Sequence, residues 1–542
     1  LEEPICAHKK WWELKTEYGI KEERVTLFVN FILAMLPIIW LIIALCGMKM
    51  TGYKACIIAL IIAAAEALFL WKQEAVDVAT GGLEGFAMAL WPICLVIIAA
   101  VFTYNLVVYT KNMEVIKRML VSVSKDKRIL MLIIAWGFGG FMEGMAGFGT
   151  AVAIPAGILC GLGFEPIFAA TVCLIADTTP VAFGSIGIPT VTAADITGVS
   201  QHDTAAFVVL QLALMAVVVP FLIVWITGKR DGAKGLKDYK GILFITLMSG
   251  ISFVLPQYLT AKYIGAELPA VIGSVCSMAV TILLAKFLRR EKETKFDLEL
   301  LQEESEPLSV KSALTAWSPF ILVLFFLIMT SSIFPAIHDP LAAVKSDVQI
   351  YTAEGASPYT FTWIATPGVL IFIAALIGGL IQKCSLAEML KILMDTVKQM
   401  SKTIITIMAV LGTAKIMGYS GMTQSIADFI VGVTGAFYPI VAPLIGSIGT
   451  FVTGSSTSSS VLFSSLQKST AETLNMNPLW LIAANTVGST AGKIISPQSI
   501  AVATAATATV GKESVILTKV MKYFVLFVAV YGAVALLGAG FV

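Results

Sequence analysis

Twice along this chain a long hydrophobic stretch is interrupted by a polar, glycine-rich break, and each time a second break follows. The first pair is Phe141-Met-Glu-Gly-Met-Ala-Gly-Phe-Gly-Thr150 and Asp177-Thr-Thr-Pro-Val-Ala-Phe-Gly-Ser-Ile-Gly-Ile-Pro189. The second is Phe451-Val-Thr-Gly-Ser-Ser-Thr-Ser-Ser-Ser460 and Asn485-Thr-Val-Gly-Ser-Thr-Ala-Gly-Lys-Ile-Ile-Ser-Pro497. A bilayer tolerates non-helical backbone only where protein buries it or a wet cavity adjoins it. Interrupted helices at corresponding places in two halves point to the binding site of a secondary transporter.

The composition around the breaks fits a membrane. Of 542 residues, 58% are hydrophobic and only 13% charged, against about 25% charged in soluble domains. The net charge of +2 sits in short loops and gives no reason to expect a nucleic-acid partner. The cysteines are scattered through apolar runs without a Cys-x-x-Cys pair; neither a zinc site nor a disulfide framework is expected. The charged, amphipathic segment 1–24 does not read as a cleavable signal, and a start at Leu1 leaves room for a missing upstream segment.

A helix needs about 20 apolar residues to cross. Full spans are expected at 25–46, 53–71, 84–110, 204–228, 241–258, 266–288, 316–338, 363–382, 403–418 and 516–541. Segments 166–190 and 478–510 are long enough to cross but interrupted, and 129–162 and 438–474 read as hairpins that enter and turn back. The expected fold is an all-α polytopic membrane protein of about 12 transmembrane helices plus two re-entrant hairpins.

Lysine and arginine mark cytoplasmic loops. They crowd 47–54, 111–128, 229–240, 286–315, 382–402 and 511–522, whereas the alternate loops hold only Lys72, Lys262 and Lys345. This bias places the N-terminus outside; the basic residues of 1–24 are the one count against it. The first hairpin must then start and end inside, and the second outside. Residues 25–228 and 316–542 read as two inverted-topology repeats around a two-helix linker at 229–315 with cytoplasmic loops. Phe141 and Gly144 align with Phe451 and Gly454; Asp177, Gly184 and Pro189 align with Asn485, Gly492 and Pro497. An inverted repeat places substrate near the midplane.

Helix ends inside a membrane expose unpaired N–H or C=O groups, and an N-terminal end favours anions. Thr453, Gly454, Ser455, Ser456, Thr457 and Ser458, with Asn485, Thr486, Thr178 and Thr179, are therefore candidate substrate donors. Gly144, Gly147, Gly149 and Gly184 would permit close backbone approach. The bland reading of any one Gly/Ser/Thr cluster is helix packing; four in matching places favour a site. Glu143, flanked by Phe141 and Phe148, and Asp177 are the candidate proton-coupling groups, since an intramembrane acid is functional by default and burial favours its neutral form. Lys493 either meets a substrate carboxylate or pairs with Asp177 or Glu143. Lys415 and Lys468 read as snorkelling, Glu66 as interfacial, and Gln211 as inter-helix glue. His8, His202 and His338 lie outside the membrane core.

These stretches, with Leu90-Trp-Pro-Ile93, Gly492-Lys-Ile-Ile-Ser-Pro-Gln-Ser-Ile-Ala501 and Gly511-Lys-Glu513, resemble the bacterial L-lactate permease family over essentially the whole chain. The resemblance implies a cytoplasmic-membrane symporter importing L-lactate, or a related 2-hydroxy monocarboxylate such as glycolate, with a proton. More distantly it implies an ion-transporter superfamily architecture with elevator-like movement. The family's second hairpin reads Thr-Gly-Ser-Asp-Thr-Ser-Ser-Asn; here Ser456 and Ser460 replace the acid and amide, Asp177 stands where the first broken helix carries Asn, and Ala151 replaces a common proline. An acid has thus moved across the pseudo-symmetric site. The expected partners are a small organic anion (lactate or glycolate) and the lipid bilayer; a homodimer is compatible with them. No cofactor or metal is expected. The coupling ion is the proton, with a sodium-coupled carboxylate transporter as the alternative. A channel is disfavoured by the two-sided breaks, and an embedded serine hydrolase lacks a nucleophile elbow.

Overall fold

The computed structural model describes residues 27–44, 48, 50–147, 149–288, 296–298, 309–331, 333–353, 356 and 358–541, with Leu236 described by backbone alone. The segment 1–24, His8, Phe148 and most of the charged loop 290–310 lie outside these residues. The protein is almost wholly helical. Ten described helices are long and apolar enough to cross a membrane, eleven if the bent pair Pro166–Ala176 and Pro180–Thr197 counts as one span. The expected twelve is not matched helix for helix, because Pro367–Ile381 is short and the interrupted segments divide.

The same order of elements occurs twice. In each region two apolar helical segments, of which Gly52–Phe69 and Val310–Met329 are long enough to span, lead to a long helix, an amphipathic helix, a hairpin, a broken helix and a closing span. The spans expected at 84–110 and 403–418 begin earlier, giving the continuous helices Ala75–Tyr109 and Leu386–Tyr419. The first bends through a π-turn at Ala89–Cys94, where Pro92 withholds an N–H and Trp91 leaves helical geometry. The second is straight-capped at its start by the Ser385/Glu388 capping box.

The two long helices touch at glycines: a Cβ on Gly85 would lie 2.7 Å from the Gly412 Cα. Beside that crossing, Lys415 pairs with Glu84 at 2.8 Å, and Tyr419 donates to the same carboxylate at 2.7 Å. Lys415 therefore does not snorkel; the second long helix carries it to a buried acid. Lys468 departs from that expectation too, donating to the Thr197 carbonyl at 2.8 Å. Glu66 is buried against protein, with neither oxygen hydrogen-bonded. Gln211 does bridge helices, donating to the Trp480 carbonyl at 2.9 Å.

The linker helices Leu243–Tyr263 and Pro269–Leu288 pack against each other, and the second covers the first hairpin. Small residues allow this approach. Ser274 Oγ would be 2.6 Å from a Cβ at Gly140, and Trp136 donates to Ser277 at 3.1 Å. Between the spans ending at Met329 and starting at Pro367, strands Lys345–Val348 and Tyr359–Thr362 form an antiparallel ribbon. It rests on the bend of the first long helix through Trp91 and Tyr359.

Candidate functional site

The first hairpin comprises Lys127–Met145 and Thr150–Gly161; the second comprises Tyr438–Thr453 and Ser456–Thr473. Gly149 and Gly454 hold the two turns in the left-handed region, at φ +87 and +74, which glycine occupies without a Cβ penalty. The turn equivalence is thus Gly149 with Gly454; Gly144, the sequence-aligned partner, lies inside the first arm with its Cβ position 2.7 Å from Val271. The first broken helix stops at Ala176 and resumes through Gly184–Thr197, with Ser185, Ile186 and Gly187 all at positive φ. For Ser185 and Ile186 such geometry costs of order 1–3 kcal/mol each. Ser185 Oγ donates to the Ala146 carbonyl at 2.9 Å, tying this break to the first turn. Gly147 leaves the room: its Cβ would lie 2.0 Å from that hydroxyl.

The second broken helix differs from expectation. Pro478–Ile495 is continuous through Asn485 and Thr486, and the break falls at Ser496 before Pro497–Ala506. Gly488 and Gly492 are packing residues, spaced as a small-xxx-small face. Their Cβ positions would fall 1.9 Å from the Pro443 carbonyl oxygen and 2.2 Å from that of Ser447. Gly446 likewise meets the Asn485 carbonyl, so hairpin arm and broken helix lie backbone against backbone.

The halves interlock. The second arm of the first hairpin packs on Pro497–Ala506, and that of the second hairpin packs on Gly184–Thr197. The restart points therefore converge on one cavity of about 460 Å3, whose wall includes Gly149, Gly184, Ser185, Ser455–Ser458 and Ser496–Ser499. First-turn amides have no intrahelical acceptor. At Ser456 the turn is capped by Ser455, which accepts from the Ser458 amide at 3.2 Å. At Pro497 no side chain caps it, and Ser496 Oγ is buried without a partner. Several positive helix ends thus face one space, an arrangement that favours anions.

The ionisable groups stand beside this wall. Glu143 is 2% exposed. Its Oε1 lies 3.4 Å from Lys493 Nζ and would lie 2.4 Å from a Cβ at Gly184. Lys493 occupies the last turn of its helix, where a cation suits the dipole. Asp177 ends Pro166–Ala176, is 2% exposed, and sits behind Glu143 rather than on the cavity wall.

Of the sequence candidates, Thr453, Gly454, Ser455, Ser456, Thr457, Ser458, Glu143, Lys493, Gly149 and Gly184 line the cavity. Asn485, Thr486, Thr178, Thr179, Asp177, Gly144 and Gly147 do not. Asn485 accepts from Gln467 at 3.3 Å, Thr486 bonds back to Ile482 at 3.2 Å, and Thr178 bonds to the Ile175 carbonyl. Thr179 is buried with its hydroxyl unpartnered. Residues not anticipated are Ser185, Ser496, Gln498 and Ser499 from the breaks, and Lys402, Thr403 and Thr406 from the second long helix. The last three recur on one helical face, a signal present in the sequence but masked by the charged run around it. Met50–Tyr53 complete the mouth. Away from this site, His202, His338 and Glu267 line a smaller cavity of about 180 Å3, where burial pushes the Glu267 carboxyl up to about 7.

The L-lactate permease family model matches residues 30–542. An L-lactate permease of Streptococcus iniae is 47% identical over 452 residues, covering 83% of this chain and 93% of that protein. The glycolate permease GlcA of Escherichia coli strain K12 is 36% identical over 547 residues, covering 94% and 96% respectively. Among solved structures, MtrF of Neisseria gonorrhoeae, which illuminates a class of antimetabolite efflux pumps, aligns at TM-score 0.48 and 13% identity over 90% of this chain and 94% of its own.

Proposed function

The chain belongs to the L-lactate permease family, and from that premise we propose that it imports L-lactate and related 2-hydroxy monocarboxylates such as glycolate across the cell membrane, together with a proton. The observation that carries this reading is the meeting of uncapped helix N-termini with a buried Glu143–Lys493 pair at one cavity. Helix N-termini, hydroxyls and a lysine suit a carboxylate. A buried acid suits a proton that travels with it.

The substrate carboxylate lies against Ser455–Ser458 and the first turn at Pro497. Its 2-hydroxyl is read by Ser496, whose oxygen has no other partner, in place of Asn485, Thr486 or Thr178. The proton resides on Glu143 or Asp177. Carrying it removes the charge that would otherwise oppose movement through a low-dielectric interior and against the membrane potential. Residues 25–228 and 316–542 act as inverted repeats around 229–315, with the N-terminus outside. In that orientation the cavity mouth at Met50–Tyr53 and Lys402 faces the cytoplasm, so this is an inward-facing form. The proposed chemistry needs no cofactor or metal, and the reading is compatible with a monomer or a homodimer.

Sodium coupling is the competing reading. Labelled lactate uptake into liposomes separates them: proton symport predicts accumulation under an imposed pH gradient, unchanged when external sodium is replaced by choline. Accumulation that follows sodium and ignores pH would overturn it.

A further inference from the structure

Glu143, Asp177 and Lys493 form one buried cluster whose hydrogen bonds do not close with both acids ionised. Lys493 reaches only Glu143 Oε1, at 3.4 Å. Glu143 Oε2 and both Asp177 oxygens are buried without a donor, and Asp177 neighbours Glu143 in the same interior. Two carboxylates cannot bond until one carries a proton, because the ionised form only accepts. A single shared proton joins one oxygen of each acid.

Among the described residues, the elements packed against the acids bring no second cation into ion-pair contact with them. Helix 184–197 presents Gly184 here, and its acid Asp195 accepts from Gln201 at 2.6 Å. Helix 456–473 has its lysine, Lys468, committed to the Thr197 carbonyl. Helix 166–176 contributes the Cys173 thiol beside Asp177. Helix 269–288 presents Ala270 and Val271 toward Gly144. Helix 513–538 brings Tyr531, whose hydroxyl meets Thr490 at 3.5 Å. Among the described residues, Lys493 is the cation within ion-pair distance of Glu143; Lys402 lines the same cavity from its exposed side.

Resting on the proton-coupled reading above, we infer that Lys493 links anion to proton by changing partners. In the empty site the acids share one proton and carry a single negative charge, which Lys493 balances. An arriving carboxylate takes Lys493, and the acid pair, deprived of its counter-ion, takes a second proton from solvent hydronium. One O–H bond of hydronium breaks, leaving water, and one carboxyl O–H bond forms. Both forms of the site are neutral, and they differ by one anion and one proton. Neutrality in both forms is what a buried site requires, since an uncompensated charge there is strongly unfavourable. Anion and proton then raise each other's affinity reciprocally.

The test is lactate affinity against pH for the full chain in liposomes, with thermal unfolding to show that each variant is folded. In the unmodified protein, affinity weakens by up to about tenfold per pH unit toward alkaline pH. Lys493→Gln binds lactate more weakly and loses that slope, and Lys493→Arg keeps it. Glu143→Gln or Asp177→Asn alone keeps a slope, because one acid still answers to Lys493; the double variant loses it. A Lys493→Gln protein that retains the slope overturns the inference while leaving proton symport standing. If Lys493→Gln does not fold, a retained slope in the double amide variant overturns it equally. A flat profile in the unmodified protein overturns both the inference and the proton reading.

Discussion

The first hairpin and its broken helix carry Glu143 and Asp177; the second pair carries hydroxyls and Lys493. Their surroundings differ as much as their chemistry. Every residue from Arg128 to Met145 is buried, sheathed by the linker helix, whereas 8 of the 16 residues of Tyr438–Thr453 are buried. Acids sit in the more deeply buried region, and the hydroxyl turn in the region whose first hairpin arm is less covered. Both contribute to the wall of one cavity. Burial disfavours an ionised acid and so favours its protonated form, whereas a hydroxyl is neutral in either setting.

The comparison breaks most sharply if the acids are removed from the first copy. The double variant Glu143→Gln with Asp177→Asn is expected to lose pH-driven accumulation of lactate altogether, while exchange of labelled for unlabelled lactate persists. Accumulation that survives would mean the second copy also handles the proton. Next in size is the tie between the two long helices. Lys415→Met strands buried Glu84 and is expected to destabilise the protein by about 3–5 kcal/mol in a denaturation measurement. Adding Glu84→Gln should restore much of that.

Two glycines sharpen the contrast between packing and chemistry. Gly488→Ala drives a methyl into the Pro443 carbonyl and is expected to lower stability by about 1–3 kcal/mol. Gly184→Ala meets only the end of the flexible Glu143 side chain. Its melting temperature should move less than that of Gly488→Ala, while its pH dependence of uptake shifts. The smallest effect belongs to Lys402 at the mouth. Lys402→Ala should slow initial uptake by about twofold at low ionic strength, and the difference should fade in salt as screening shortens the reach of an exposed charge.

Much of the plan was legible in the chain, because glycine, serine and threonine inside apolar runs have few physical uses. The turns at 146–149 and 454–455 and the stop at Asp177 fall within the stretches that composition marked. The second broken helix was harder. Gly488 and Gly492 look like a loosened helix in sequence, but backbone packing gives glycine the same signature. Glu143 with Lys493 was among the pairings the sequence left open, but Glu84 with Lys415 was illegible: the two stand 331 positions apart, and no local pattern distinguishes a snorkelling lysine from one that finds an acid across the fold. Lys402, Thr403 and Thr406 were missed for a related reason, since they belong to a helix whose sequence shows no break.

The seam at Gly446, Gly488 and Gly492 has one further consequence. Helices in backbone contact cannot slide or splay without losing that contact, so the Ser455–Ser458 turn and the Ser496–Pro497 break are held at a fixed separation. The gap between them behaves as a gauge: its width is set by main chain, and side chains only trim it. Substitutions along the wall would then alter how tightly an acid is gripped more readily than how long an acid is admitted.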